Sequence, residues 1–129
     1  MDMAINLAKR AQIRGEVPIG AVIVRHTDGK IIARTYNLRE RTQNALHHAE
    51  ILAIHRACRR LKSWRLDNCD IYVTLEPCQM CLGAITNARI RHLYYGASST
   101  TDLNHKVAAT NLDIPECSAL LKDFFKSHR

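Results

Sequence analysis

The run Ile71-Tyr72-Val73-Thr74-Leu75-Glu76-Pro77-Cys78-Gln79-Met80-Cys81 decides the fold. Its first five residues are a continuous β-branched and apolar stretch, the pattern of a central strand covered on both faces. They lead directly to Pro77, a residue favoured at the first position of a helix, and a helix is expected from about Cys78 to Ala88. A second strand, His92 to Tyr95, follows and is stopped by Gly96. Strand, helix and strand in that order imply parallel pairing with a right-handed crossover.

Upstream, Ile51, Ile54, His55 and Cys58 mark one face of a helix that begins near His48 and runs toward Leu61. Two β-type runs, Ile19 to Val24 and Ile31 to Tyr36, flank Thr27-Asp28-Gly29-Lys30, and Asp-Gly between such runs is a hairpin signal. Ala4, Leu7, Ala8 and Ala11 recur at helical spacing before Gly15, which can close a helix in the left-handed conformation. Downstream, Lys106 to Ala109 reads as a fifth, shorter strand. Cys117, Leu120, Leu121, Phe124 and Phe125 give a last helix its apolar stripe. The expected architecture is α/β: a three-layer arrangement in which a mixed five-stranded sheet carries helices on both faces.

The chain has 129 residues, 47% of them hydrophobic, and no linker-like composition, so a single domain spanning 1–129 is expected. No run of about 18 apolar residues occurs, and Met1-Asp2-Met3-Ala4 has none of the regions of a signal peptide. A soluble, cytoplasmic protein with no membrane association is the expectation. Five cysteines, two of them in Cys-x-x-Cys spacing, favour metal or redox chemistry over a disulfide framework. The formal charge of +7 tilts toward a polyanionic partner.

Both His48-Ala49-Glu50 and Pro77-Cys78-Gln79-Met80-Cys81 stand where a helix follows a strand or the loop leaving it. That is the rim where open α/β sheets bind ligands. Cys78 and Cys81, three apart, can grip one ion beyond the helix end, where the helix dipole favours thiolate. His48 is a third ligand of the right type for zinc, leaving the fourth tetrahedral position for water, as catalytic sites do. Glu50 then stands beside that water as a general base, because two thiolates neutralise Zn²⁺ and leave its water less acidified than three histidines would. A structural zinc site would need a fourth ligand, from His47, His55, Cys58 or Cys69. His55 and Cys58 read instead as core residues of the helical stripe. A thioredoxin-like pair would leave the His-x-Glu motif unexplained.

The combination of these two motifs is similar to the zinc deaminase signature. Ala8-Lys9-Arg10-Ala11, Glu16-Val17-Pro18-Ile19-Gly20-Ala21-Val22, Tyr72-Val73-Thr74-Leu75-Glu76-Pro77-Cys78, and Glu116-Cys117 with Leu120-Leu121-Lys122-Asp123-Phe124-Phe125 extend the likeness. Nearly end to end, the chain resembles the bacterial tRNA adenosine deaminases, which have a cytidine deaminase-like fold and convert the wobble adenosine of an arginine tRNA to inosine. The resemblance implies one Zn²⁺ per chain held by His48, Cys78 and Cys81, Glu50 as proton shuttle, a tRNA anticodon loop as substrate and a homodimer. Asn37 matches a base-contacting asparagine, its amide suited to a purine edge; from the residues alone it reads equally as a turn residue. Two departures stand out. The segment between Gly96-Ala97 and Asn104-His105-Lys106-Val107 is shorter than in relatives, where it touches RNA, and Ser98-Ser99 replace a charged pair. A deaminase of a free base or nucleoside, such as guanine or cytosine, and a non-catalytic zinc-stabilised RNA-binding module are the competing readings.

Overall fold

The computed structural model describes residues 1–99 and 105–127. In chain order it runs α1 (Asp2–Ile13), β1 (Gly20–Arg25), β2 (Ile31–Tyr36), α2 (Arg39–Thr42), α3 (Ala49–Leu61), β3 (Cys69–Val73), α4 (Gln79–Asn87), β4 (His92–Tyr95), β5 (Ala108–Asn111) and α5 (Pro115–Ser127). The strands form one mixed sheet in the order β2-β1-β3-β4-β5. β1 pairs antiparallel with both β2 and β3, while β3/β4 and β4/β5 are parallel. Consequently β2, β3, β4 and β5 all run the same way, and their carboxyl ends share one rim.

Period-two alternation assigns the layers. Along β1, Ala21 and Ile23 enter the main core, with Ala49, Ala53 and Ala57 of α3 and Leu82 and Ile85 of α4. Val22 points the other way, against Ala4 and Leu7 of α1. Cys117 of α5 joins Ile5 of α1 and Ala97 in a third cluster on α1's flank. The expected mixed five-stranded sheet with helices on both faces is present. The Gly15 turn is left-handed (φ +78), as is Gly29 in the hairpin (φ +68).

Several boundaries and one helix face differ from the sequence reading. β3 starts at Cys69 rather than Ile71 and ends before Thr74, whose hydroxyl oxygen accepts from the Gly20 N–H at 3.2 Å while Thr74 N–H donates to Gly20 O at 3.1 Å. Those bonds hold Thr74 to the start of β1 instead of extending the parallel ladder. β5 lies two residues later than Lys106 to Ala109 suggested, with Ala108 opposite His92. α4 begins at Gln79 with Cys78 as its cap, so Pro77 stands before the cap rather than at the first helical position. The buried face of α3 is Ala49, Glu50, Ala53 and Ala57, whereas Ile54 and Cys58 are half-buried and His55 is exposed. Alanines four apart let this helix approach the sheet closely, and a reading weighted by side-chain size follows the larger residues that flank such a face. In α5, Cys117 and Phe124 are buried, but Phe125 is exposed.

Candidate active site

The rim geometry follows from three local devices. First, the chain leaving β2 is held at the sheet, because Asn37 N–H donates to Ile19 O at 3.1 Å and Leu38 N–H to His47 O at 3.1 Å. Second, Glu16, fully buried, accepts from the backbone N–H groups of Glu40 (3.0 Å) and Arg41 (2.7 Å) and so satisfies the start of α2. Third, the buried Thr35 hydroxyl donates to Ala49 O at 2.6 Å, anchoring the first turn of α3 to β2.

These contacts place His48 as the cap of α3 and Cys78 as the cap of α4, both with extended backbone. Cys81 follows inside α4 and is buried. The Nδ1 atom of His48 lies 3.5 Å from Cys81 Sγ and 3.7 Å from Cys78 Sγ, and all three donor atoms fall within 4.8 Å of one another. Tetrahedral zinc with Zn–S near 2.3 Å and Zn–N near 2.0 Å needs an N···S separation of about 3.6 Å. The His48 nitrogen thus already stands from both sulfurs at the spacing such an ion requires, and the three residues are the only metal-ligand group of three or more among the described residues.

Sulfur chemistry at this position is polarised. A hydrogen bond from the Cys81 thiol, aided by the backbone N–H groups at the start of α4 and by His48, pulls Cys78 down to about 5. Cys81 is pushed strongly up, by that same hydrogen bond first, then by burial and by the charge of Glu50. One thiol thus serves the other's charge, the demand that a divalent cation relieves for both.

Glu50 sits in the first turn of α3, 3% exposed, and its Oε1 has no hydrogen-bond partner. Burial raises its carboxyl from 4.5 to about 7. A carboxylate oxygen buried without a partner is costly unless a ligand or water meets it. This orphan acceptor stands next to the N/S/S donor set. Asn37 is also buried, at the end of β2. Its Oδ1 accepts from Arg39 N–H at 3.1 Å, an Asx-type turn, while its Nδ2 makes no hydrogen bond among the described residues. Among the described residues, the turn role and an amide N–H₂ without a hydrogen bond therefore coexist in one side chain.

Two rim residues escaped the sequence reading. Glu76 Oε1 accepts from Ser99 N–H at 2.9 Å, and its Oε2 lies 2.6 Å from His105 Nε2, off the line of a hydrogen bond but at ion-pair distance. Glu76 N–H also donates to Ala97 O at 2.8 Å. This side chain thus joins the approach to Cys78 to residues on either side of Thr100–Asn104. The shortened segment expected there lies largely outside the described residues. Glu16 was equally invisible, because nothing in Glu16-Val17-Pro18 announces a partner twenty-four residues away.

A model of the MafB19-like deaminase family matches residues 1–129. The tRNA-specific adenosine deaminase of Rickettsia bellii is 49% identical over 112 residues, covering 87% of this chain and 75% of the relative. That of Bacillus subtilis is 40% identical over 144 aligned positions, covering all of this chain and 88% of the relative. The chain belongs to the tRNA-specific adenosine deaminase family.

With 144 aligned positions against 129 residues, the B. subtilis deaminase carries residues that this deaminase lacks. Among solved structures, one from work on A-to-I editing by tRNA:A34 deaminases at the wobble position of transfer RNA superposes with a TM-score of 0.86 at 40% identity, covering 94% of this chain and 97% of the other. A guanine deaminase from Bacillus subtilis superposes less closely, with a TM-score of 0.71 at 29% identity over 97% and 90% of the two chains.

Proposed function

We propose that this deaminase hydrolyses adenosine to inosine at the wobble position of an arginine tRNA, with one Zn²⁺ held by His48, Cys78 and Cys81. The observation that carries the chemistry is the orphaned, buried Glu50 Oε1 beside a three-donor N/S/S cluster. The kinship with tRNA-specific adenosine deaminases at 40–49% identity supports the substrate. When bound, zinc supplies a Lewis acid that makes a water molecule a better nucleophile.

Each residue then has one task. Glu50, poised near neutrality by burial, takes a proton from the attacking water and returns it to the leaving amine, a contribution of roughly 10²–10⁴ in rate. A C–O bond forms at the base carbon, its exocyclic C–N bond breaks, and ammonia leaves. The free Nδ2 of Asn37 offers a donor to an acceptor on the purine edge, while its Oδ1 remains tied to Arg39. A single-stranded loop suits such a site, because the base must leave its stack to reach the rim.

A homodimer accords with the exposed apolar side chains Leu46, Trp64 and Met80, since Leu46 and Met80 lie within two residues of His48 and Cys78. Cysteines free at all five positions suit a reducing cytoplasm. No helix among the described residues is long and apolar enough to cross a membrane. The direct test is Glu50→Ala: zinc content and RNA affinity should hold while inosine formation falls by at least a hundredfold. Turnover within threefold of wild type would refute the shuttle.

A further inference from the structure

Beyond the rim, the outer edge of β2 carries cations that the reaction does not use. Arg56 Nη1 donates to Arg34 O at 2.9 Å, and Arg60 Nη1 donates to Ile31 O and Ile32 O at 3.0 and 3.2 Å. These bonds shield an edge strand from pairing with another chain, which accounts for two arginines on α3. They leave most of the five N–H donors of each guanidinium available. Because the acceptors are neutral carbonyls, each positive charge stays uncompensated. On the other side of the strand, Arg34 and Arg10 are exposed and form no hydrogen bond or ion pair through their side chains among the described residues.

Two adjoining hollows run along this edge. One, of about 420 Å³, is lined by Arg34, Arg56 and Arg60 with Ile31, Ile32 and Ala33; the other, of about 240 Å³, by Arg10, Arg34 and Arg56 with Leu7, Thr35, Tyr36 and Leu38. No acidic residue lines either. They share Arg34 and Arg56, so they form one trough walled by α3 on one side and α1 on the other. Its upper end, at Tyr36 and Leu38, flanks Asn37 at the rim. A strand rises about 3.3 Å per residue, so the trough reaches roughly 15–20 Å from the rim to Ile31, the length of several successive phosphates.

We infer that this trough binds the phosphodiester backbone of the RNA stem adjoining the deaminated loop, through Arg10, Arg34, Arg56 and Arg60. Guanidinium groups fixed by backbone carbonyls are preorganised for bidentate contact with phosphate oxygens. Such contacts carry no sequence information, but they set the register in which a loop nucleotide arrives at the rim. This inference rests on the tRNA reading, and the experiment separates the two.

Arg10→Glu and Arg34→Glu, alone and together, leave the strand-capping bonds intact; Arg65→Glu, on a side chain that meets Asp67 at 3.3 Å elsewhere on the surface, serves as control. Deamination of an arginine-tRNA anticodon stem-loop is followed across a salt series. KM should rise about tenfold for each trough variant with kcat within twofold, and the log–log salt slope of binding should shrink by roughly 0.7–0.9 for each phosphate that is no longer neutralised. Unchanged KM and slope, or changes no larger than those of Arg65→Glu, overturn the inference. So does a trough variant that binds RNA normally and instead shifts the mass seen by light scattering, which would make the edge a protein interface. If the wild-type protein makes no inosine in the stem-loop, the tRNA reading itself has failed.

Discussion

Glu50 is a buried carboxyl beside the donor atoms of His48, Cys78 and Cys81. Its carboxyl is held up to about 7 by burial, so in chelator-treated protein the folded state binds this proton more tightly than the unfolded chain does. The stability it contributes is complete below about pH 4.5 and is lost as pH rises through about 7, a loss of about 3 kcal/mol at 1.36 kcal/mol per pH unit. Glu50→Gln removes that loss. Urea melts of chelated protein should show the Gln variant gaining on wild type by roughly 2–3 kcal/mol between pH 5 and pH 8, while the deamination of the zinc-loaded variant falls by 10²-fold or more. Cys78→Ser and Cys81→Ser should each lower zinc measured by elemental analysis well below one ion per chain, because each removes one of three donors. The meeting of His48, Cys78 and Cys81 was legible in the sequence, since short spacings at helix starts constrain where their side chains can go. Glu16 and Glu76 were not legible, because their partners at Glu40, Arg41, Ser99 and His105 are brought to them only by the tertiary fold.

At the scale of elements, close approach of helix to sheet decides what is tolerated. A Cβ on Gly20, the first residue of β1, would lie 2.1 Å from Ala4 O and 2.9 Å from Ala8 N, both backbone atoms of α1. Gly20→Ala must push α1 off the sheet and should destabilise by about 1–3 kcal/mol or more. Gly83, within α4 and with open space where its Cβ would go, should behave oppositely: Gly83→Ala is expected to stabilise by about 0.5–1 kcal/mol. Thermal melts of the two variants should move in opposite directions, and a shift of both the same way would contradict this packing. The same closeness explains what the sequence hid. The hairpin and β4 could be read from runs of β-branched and aromatic residues, but the contact face of α3 is built from alanines, which carry little hydrophobic signal. Helix α2, four residues long, has no periodicity to read; it exists because Glu16 caps it from another segment.

For the whole molecule, the topology makes the strands on either side of β1 parallel to each other, and this brings His48 after β2 and Cys78 after β3 to one rim. The sequence supplied both motifs, and the order β2-β1-β3 supplies their meeting. Light scattering at micromolar concentration is expected to report a species of twice the 14.7 kDa chain mass; a monomer alone would contradict the dimer. Substrate identity separates most cleanly in one measurement. Zinc-loaded protein is incubated with an arginine tRNA bearing wobble adenosine and, in parallel, with guanine and cytosine, and the products are resolved by nucleoside and base analysis. Inosine at the wobble position with the free bases unconsumed is the expected result, whereas rapid loss of guanine or cytosine with no inosine in the tRNA would contradict it.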